Sequence, residues 1–198
     1  MAAYRAVSWL TPLVERALQL AQTAAFTDSC TPEVGRLLYT LAARCDRGTV
    51  AEIGTGYGVG AAWIASGLRP PVSLVTVEID EARAAAARSL FSGYPNVLVL
   101  HGDWHEILDY APFTMLFADG GKAKEREPEV LLEALEPGGL LILDDLTPES
   151  HWTPEQRQRW NPDPVRSLWL NDPGLAATEI LLAPASAAIL AVRLATVP

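Results

Sequence analysis

The feature that most constrains this chain is a short apolar run, Thr49-Val50-Ala51-Glu52-Ile53, that opens into a glycine at every second position: Gly54, Gly56, Gly58 and Gly60. Glycine carries no Cβ, so it takes positive φ freely and lets the backbone approach a ligand closely. A helix pattern from Ala61 to Leu68 follows, and its N-terminus brings unpaired N–H groups to the turn. Strand, glycine turn and helix together read as a nucleotide-type site. A dinucleotide fingerprint needs G-x-G-x-x-G. Counted from Gly54, its third glycine falls on Val59, which argues against a nicotinamide-dependent oxidoreductase. Glu52, two residues before the first glycine, suits a cofactor with a positive centre and an ammonium group better than a pyrophosphate. Glu78 ends the next strand, 24 residues after Gly54, where a carboxylate accepts ribose hydroxyls.

The rest of the chain keeps the same rhythm. Thr11-Pro12 and Thr31-Pro32 mark two helix starts, and apolar residues recur at helical spacing behind each. Strands are expected at 49–53, 73–78, 96–101, 113–119 and 139–144. Helices are expected at 61–68, 81–91, 104–109 and 127–136. Alternating strands and helices, with near-continuous apolar strands, predict a parallel sheet covered on both faces. Past a Pro- and Trp-rich stretch at 147–164 and a helix at 165–170, two apolar runs (177–182 and 187–194) flank Pro184-Ala185-Ser186. No helix fits between them, which predicts an antiparallel hairpin at the sheet edge. The expected fold is α/β: a Rossmann-like, doubly wound, mostly parallel seven-stranded sheet of order 3-2-1-4-5-7-6, closed by a C-terminal antiparallel hairpin. Residues 1–198 read as one domain, with helices in 1–47 and the cofactor-binding core in 48–198.

Composition narrows the partners. The net charge is −9, and no basic run compensates it, which argues against phosphate-driven nucleic-acid binding. Two cysteines, Cys30 and Cys45, are no disulfide framework and no zinc cluster. The N-terminal residues do not read as a secretory leader, and no apolar span of about 18 residues is expected to cross a membrane. A cytoplasmic protein without membrane or nucleic-acid partners is the expectation.

Two more strands end in acid. The run 113–118 delivers Asp119, and 140–143 delivers Asp144 and Asp145. Ligands of open α/β sheets bind beyond the carboxyl ends of the strands, so these aspartates converge on the glycine turn. Close carboxylates repel unless a cation or proton intervenes, and an all-oxygen set suits Mg²⁺ or Ca²⁺.

Glu52 to Gly60 resembles motif I of the class I S-adenosylmethionine-dependent methyltransferases. Val77-Glu78-Ile79-Asp80 resembles their following acidic motif, and His101-Gly102-Asp103-Trp104 the segment beside the adenine. This resemblance implies a cofactor site of Glu52, Gly54, Thr55, Gly56, Tyr57, Gly58, Glu78, Ile79, Gly102, Asp103, Trp104 and Asp119. Phe117-Ala118-Asp119-Gly120-Gly121-Lys122 with Leu143-Asp144-Asp145 is similar to the catechol and caffeoyl-CoA O-methyltransferases. It implies a divalent metal, Mg²⁺ by preference, on Asp119, Asp144 and Asp145, and catalytic roles for Lys122 as base and Asp119. Asp145 stands where that family usually has Asn. The implied reaction methylates a hydroxyl of a small catechol-like or phenolic acceptor, and relatives of this kind are often homodimers. Two alternatives remain: a metal-independent small-molecule methyltransferase, and a cofactor-binding protein without turnover. His101 and His105 read as structural, whereas His151, Trp152 and Trp160 are candidates for the acceptor pocket.

Overall fold

In the computed structural model, which describes Tyr4 and residues 9–120 and 122–195, strand alternation decides which side chains meet. The strands are β1 (Thr49–Ile53), β2 (Ser73–Glu78), β3 (Val97–His101), β4 (Phe113–Ala118), β5 (Leu135–Leu146), β6 (Leu175–Ala183) and β7 (Ser186–Arg193). Successive side chains leave a strand on opposite faces. Val50, Leu74, Met115 and Phe117 join one core, and Ala51, Val75, Leu116 and Ala118 the other. The sheet order is β3-β2-β1-β4-β5-β7-β6. Its first five strands pair in parallel, while β7 pairs antiparallel with both β5 and β6. This is the expected order and the expected terminal hairpin.

The helices are α1 (Pro12–Thr23), α2 (Pro32–Arg44), α3 (Val59–Gly67), α4 (Glu81–Leu90), α5 (Ala123–Arg126), α6 (Pro128–Glu133), α7 (Pro154–Trp160) and α8 (Pro164–Asn171). Thr11 and Thr31 cap α1 and α2, each accepting a backbone N–H from the first turn, with proline at the first helical position. α3 is almost wholly buried, between the sheet and α2. The two helices meet through glycines. A Cβ on Gly35 would stand 2.2 Å from Nε1 of the fully buried Trp63, and one on Gly67 would stand 2.5 Å from the Tyr39 carbonyl oxygen.

Two expectations change. The helix expected at 127–136 is the shorter α6, a separate turn of helix, α5, precedes it, and β5 starts at Leu135. Pro128 has no N–H and pushes Glu127 out of helical backbone (φ −137°, ψ 53°). The loop expected throughout 147–164 contains α7, started by a capping box in which Thr153 and Gln156 bond reciprocally. No helix among the described residues is long and apolar enough to cross a membrane.

Gly35→Val is expected to lower folding stability by about 2 kcal/mol or more, because the added carbons must displace Trp63 from a packed core. Urea unfolding of the variant beside the wild type measures it.

Candidate active site

The strand order reverses between β1 and β4, so the loops leaving these two strands diverge and frame a crevice. Their first residues nevertheless touch. Asp119 and Gly120 both donate backbone N–H to the Ile53 carbonyl (3.1 and 2.8 Å). A Cβ on Gly54, which sits at φ +94°, would lie 2.7 Å from the Gly120 backbone. Only glycine allows that approach, and it places Asp119 beside the glycine turn.

The turn is tied down from below and from the side. Glu52 is 1% exposed and accepts from the Thr76 hydroxyl (2.5 Å), which in turn pairs with Thr55 (2.5 Å). Burial pushes the Glu52 carboxyl well above the usual carboxylate range, against the hydrogen bond from Thr76. Gly54 and Thr55 both donate to the Val77 carbonyl. Glu78 accepts from Gly56 N–H (2.7 Å), Asp80 N–H (2.9 Å) and the Arg83 guanidinium (2.8 Å). Arg83 also lies over the Phe26 ring, which meets Tyr57 edge-on.

A cavity of about 660 Å³ runs along these loops. Gly54, Thr55, Gly56, Tyr57, Glu78, Ile79, Gly102, Asp103, Trp104, Asp119, Asp144 and Asp145 all line it. Glu52 and Gly58 do not: the first supports the turn from beneath, and the second begins α3 in left-handed backbone. Ile79 is 71% exposed and offers an apolar face. Trp104 rests on the His105 ring with centroids 3.9 Å apart, and His105 is bonded to Asp103 and Glu127. The Ser29 hydroxyl and Arg83 Nε are buried without a hydrogen-bond partner among the described residues, and both residues line the cavity. Unpaired buried polar atoms of this kind suit a polar ligand.

At the other end of the cavity, Asp119, Asp144 and Asp145 each offer an oxygen, and these lie within 4.8 Å of one another. Burial pushes Asp119 well above its ordinary value, with Asp144 and Asp145 adding repulsion. Burial likewise pushes Asp144 up to about 6. Asp145 sits at φ +64°, a conformation that Asn and Asp tolerate better than other side chains. One ammonium faces this group: Lys124 is buried, and its Nζ donates to the Asp144 carbonyl oxygen (2.6 Å).

Lys122 is exposed and lines a second cavity of about 760 Å³. Asp145 belongs to both cavity walls. Trp160 lines the second cavity, whereas Trp152 is buried against Trp160 and His151 lines neither. Gly121 lies outside the described residues. Sequence reasoning missed Lys124, Arg83 and the Phe26–Thr31 loop that closes one side of the first cavity. Arg83, in the first turn after Glu78, was discoverable from its spacing. For the loop and for Lys124, linear spacing carried no signal.

Residues 51–146 match the family described as "Methyltransferase domain". A sequence from Mycobacterium sp. (strain JLS) that bears an O-methyltransferase name is 30% identical over 123 residues, covering 57% of this chain and 55% of the relative. The chain thus spans about half the length of the curated relatives it matches. Among solved structures, an O-methyltransferase from Bacillus cereus in complex with SAH superposes with a TM-score of 0.77 at 23% identity, covering 97% of this chain and 95% of that one. The O-methyltransferase TomG from Streptomyces achromogenes, in complex with SAM, gives 0.77 at 22% identity, covering 97% and 94%. These two share the fold.

The elevated Asp144 has a consequence for stability. Its value in the folded chain lies above the roughly 3.9 of an unfolded aspartate. Its contribution is therefore fully present below about pH 4 and is lost as pH rises through about 6. In EDTA, Asp144→Asn is expected to remove that loss and to be the more stable protein at pH 8, by on the order of 2–3 kcal/mol. Denaturant titrations from pH 4 to 8 measure it; equal pH slopes for variant and wild type would contradict the expectation.

Proposed function

Because residues 51–146 match a methyltransferase-domain family, we propose that the chain transfers the methyl group of S-adenosylmethionine to a hydroxyl of a small catechol-like or phenolic acceptor. One observation carries this reading: a single cavity joins the glycine turn and Glu78 to three converging carboxylates. The solved relatives bound to SAH and SAM support the choice of cofactor. The proposal treats residues 1–198 as one working unit in the cytoplasm.

The wall fits the cofactor in kind. Glu78, held by Gly56, Asp80 and Arg83, keeps one lone-pair site on Oε2 for a ribose hydroxyl. Ile79 and Trp104 offer apolar faces to a purine. The Gly54–Tyr57 backbone and the Ser29 hydroxyl face the remainder. Bound there, the cofactor supplies a methyl carbon already made electrophilic by its sulfonium. The protein's task is then alignment of an oxygen behind that carbon, which can contribute several kcal/mol.

Asp119, Asp144 and Asp145 would hold a divalent cation such as Mg²⁺. Three carboxylates against the single Lys124 ammonium leave an excess of negative charge that such a cation balances. A bound divalent cation lowers the pKa of a coordinated hydroxyl. Lys124 has its Nζ committed to the Asp144 carbonyl and steadies the end of β5. To Lys122, which lines the second cavity together with Asp145, we assign the role of taking the acceptor's proton. A metal-independent reading draws on the same residues: the Lys124 ammonium and a proton on the raised Asp144 already offset part of the repulsion.

Calorimetry with S-adenosylhomocysteine tests the cofactor assignment. Glu78→Ala is expected to weaken binding at least tenfold, and unchanged affinity would sink the assignment. Methylation of a catechol panel tests the rest. Lys122→Ala is expected to lower kcat by about 10²-fold or more. Lys124→Ala is expected to lower the melting temperature instead. EDTA is expected to abolish turnover; an unaffected rate selects the metal-independent reading.

A further inference from the structure

We infer that the second cavity receives the acidic end of the acceptor: the substrate is a phenol carrying an anionic group, a carboxylate or a phosphate, which Arg159 reads beside the ring of Trp160. This rests on the methyl-transfer reading above and adds the substrate class to it.

The cavity, at about 760 Å³, is within the size range of small-molecule sites. It meets the first cavity at Asp145, so an acceptor filling it has one end at the aspartate group. Its charged side chains divide into committed and uncommitted. Arg166 is committed: it donates to Asp163 (2.5 Å), to both Glu179 oxygens (2.8 Å each) and to the Thr147 carbonyl (2.8 Å). Lys124 is committed to the Asp144 carbonyl. Arg159 and Lys122 line the cavity and form no ion pair among the described residues.

The two uncommitted cations stand in different fields. Lys122 shares its part of the wall with Glu125 and Asp145, and a ligand anion there meets the aspartate group. Arg159 comes from the last turn of α7, next to Trp160. That wall is rigidly built. Trp160 packs edge-on against Trp152 (5.9 Å, 73°). The Trp152 indole N–H donates to the Thr147 carbonyl (2.9 Å), and the Arg166 guanidinium lies over its ring. Leu168, 38% exposed, adds apolar surface to the same cavity. The cavity thus has a polarity: hydroxyl at the aspartates, apolar body along the wall, anion at the guanidinium. An arginine fork pairs with carboxylate or phosphate through two parallel hydrogen bonds. On a chain of net charge −9, an exposed arginine that lines a cavity and forms no ion pair among the described residues is a local site of positive charge.

The test compares 3,4-dihydroxybenzoate, its methyl ester, and a catechol bearing a phosphate monoester side chain. S-adenosylhomocysteine affinity is measured first for each protein. The expected result is a KM at least tenfold lower for the carboxylate or the phosphate than for the ester, and the lower of the two identifies the anion. Arg159→Ala is expected to bring the acid-to-ester preference close to one, and Arg159→Lys to restore part of it. Added salt is expected to raise KM for the charged phenols selectively. If the panel is not turned over, equilibrium binding to the S-adenosylhomocysteine complex makes the same comparison. Equal KM or affinity for acid and ester, or a preference that survives Arg159→Ala, overturns the inference while leaving methyl transfer standing. Failure to bind S-adenosylhomocysteine at all overturns methyl transfer itself.

Discussion

The contact between Gly54 and Gly120 is the constraint on which the rest of the site depends. It lies where the strand order reverses, and the loops from β1 and β4 turn away from each other there. Two backbone segments approach until a single added Cβ would sit 2.7 Å from its neighbour. The carbonyl of Ile53 ties the second loop to the first through two N–H groups. Asp119 is carried by that contact to the edge of the glycine turn. Without it, the glycine turn and the acidic end would be separate features of one sheet edge.

Burial then gives the acidic end its character. Carboxylates in water ionise with little cost, but Asp119 and Asp144 are enclosed by the same strands that bring them together. Their elevated proton affinities express desolvation first; repulsion adds to it, from Asp144 and Asp145 on Asp119 and from Asp145 on Asp144. Lys124 reaches the group from α5 through a backbone carbonyl. The left-handed backbone of Asp145 turns that residue outward, to the boundary of the two cavities. Aspartate is a residue type that this backbone tolerates, and it adds a charge to the group.

Much of the fold was legible in the sequence because its signals are local. Helix starts at Thr11-Pro12 and Thr31-Pro32, the glycine turn, and the strand-ending acids each depend on a few neighbouring residues. The sheet order followed from the alternation of elements and from a terminal pair of strands with no helix between them. The misses also have physical reasons. The helix expected at 127–136 ended early because β5 takes up Leu135, the turn α5 ahead of Pro128 lay in a polar segment without apolar spacing, and a capping box at Thr153 was hidden by the surrounding prolines and tryptophans.

The residues lining the first cavity were mostly readable, since strand ends in a parallel sheet face one crevice. Glu52 shows the limit: its position before the glycines marked the motif, yet its side chain lies under the turn. The choice between Lys122 and Lys124 could not be read at all. Both belong to one short polar segment and both line the second cavity; only the tertiary fold buries Lys124, with its Nζ on the Asp144 carbonyl, and leaves Lys122 exposed. The sequence by itself determined the order of the strands and the chemistry at their ends, because both are encoded in short, contiguous patterns. Tertiary structure alone decided which lysine meets the aspartates and which arginine stays uncommitted, because direction and burial arise from contacts between segments far apart in the chain.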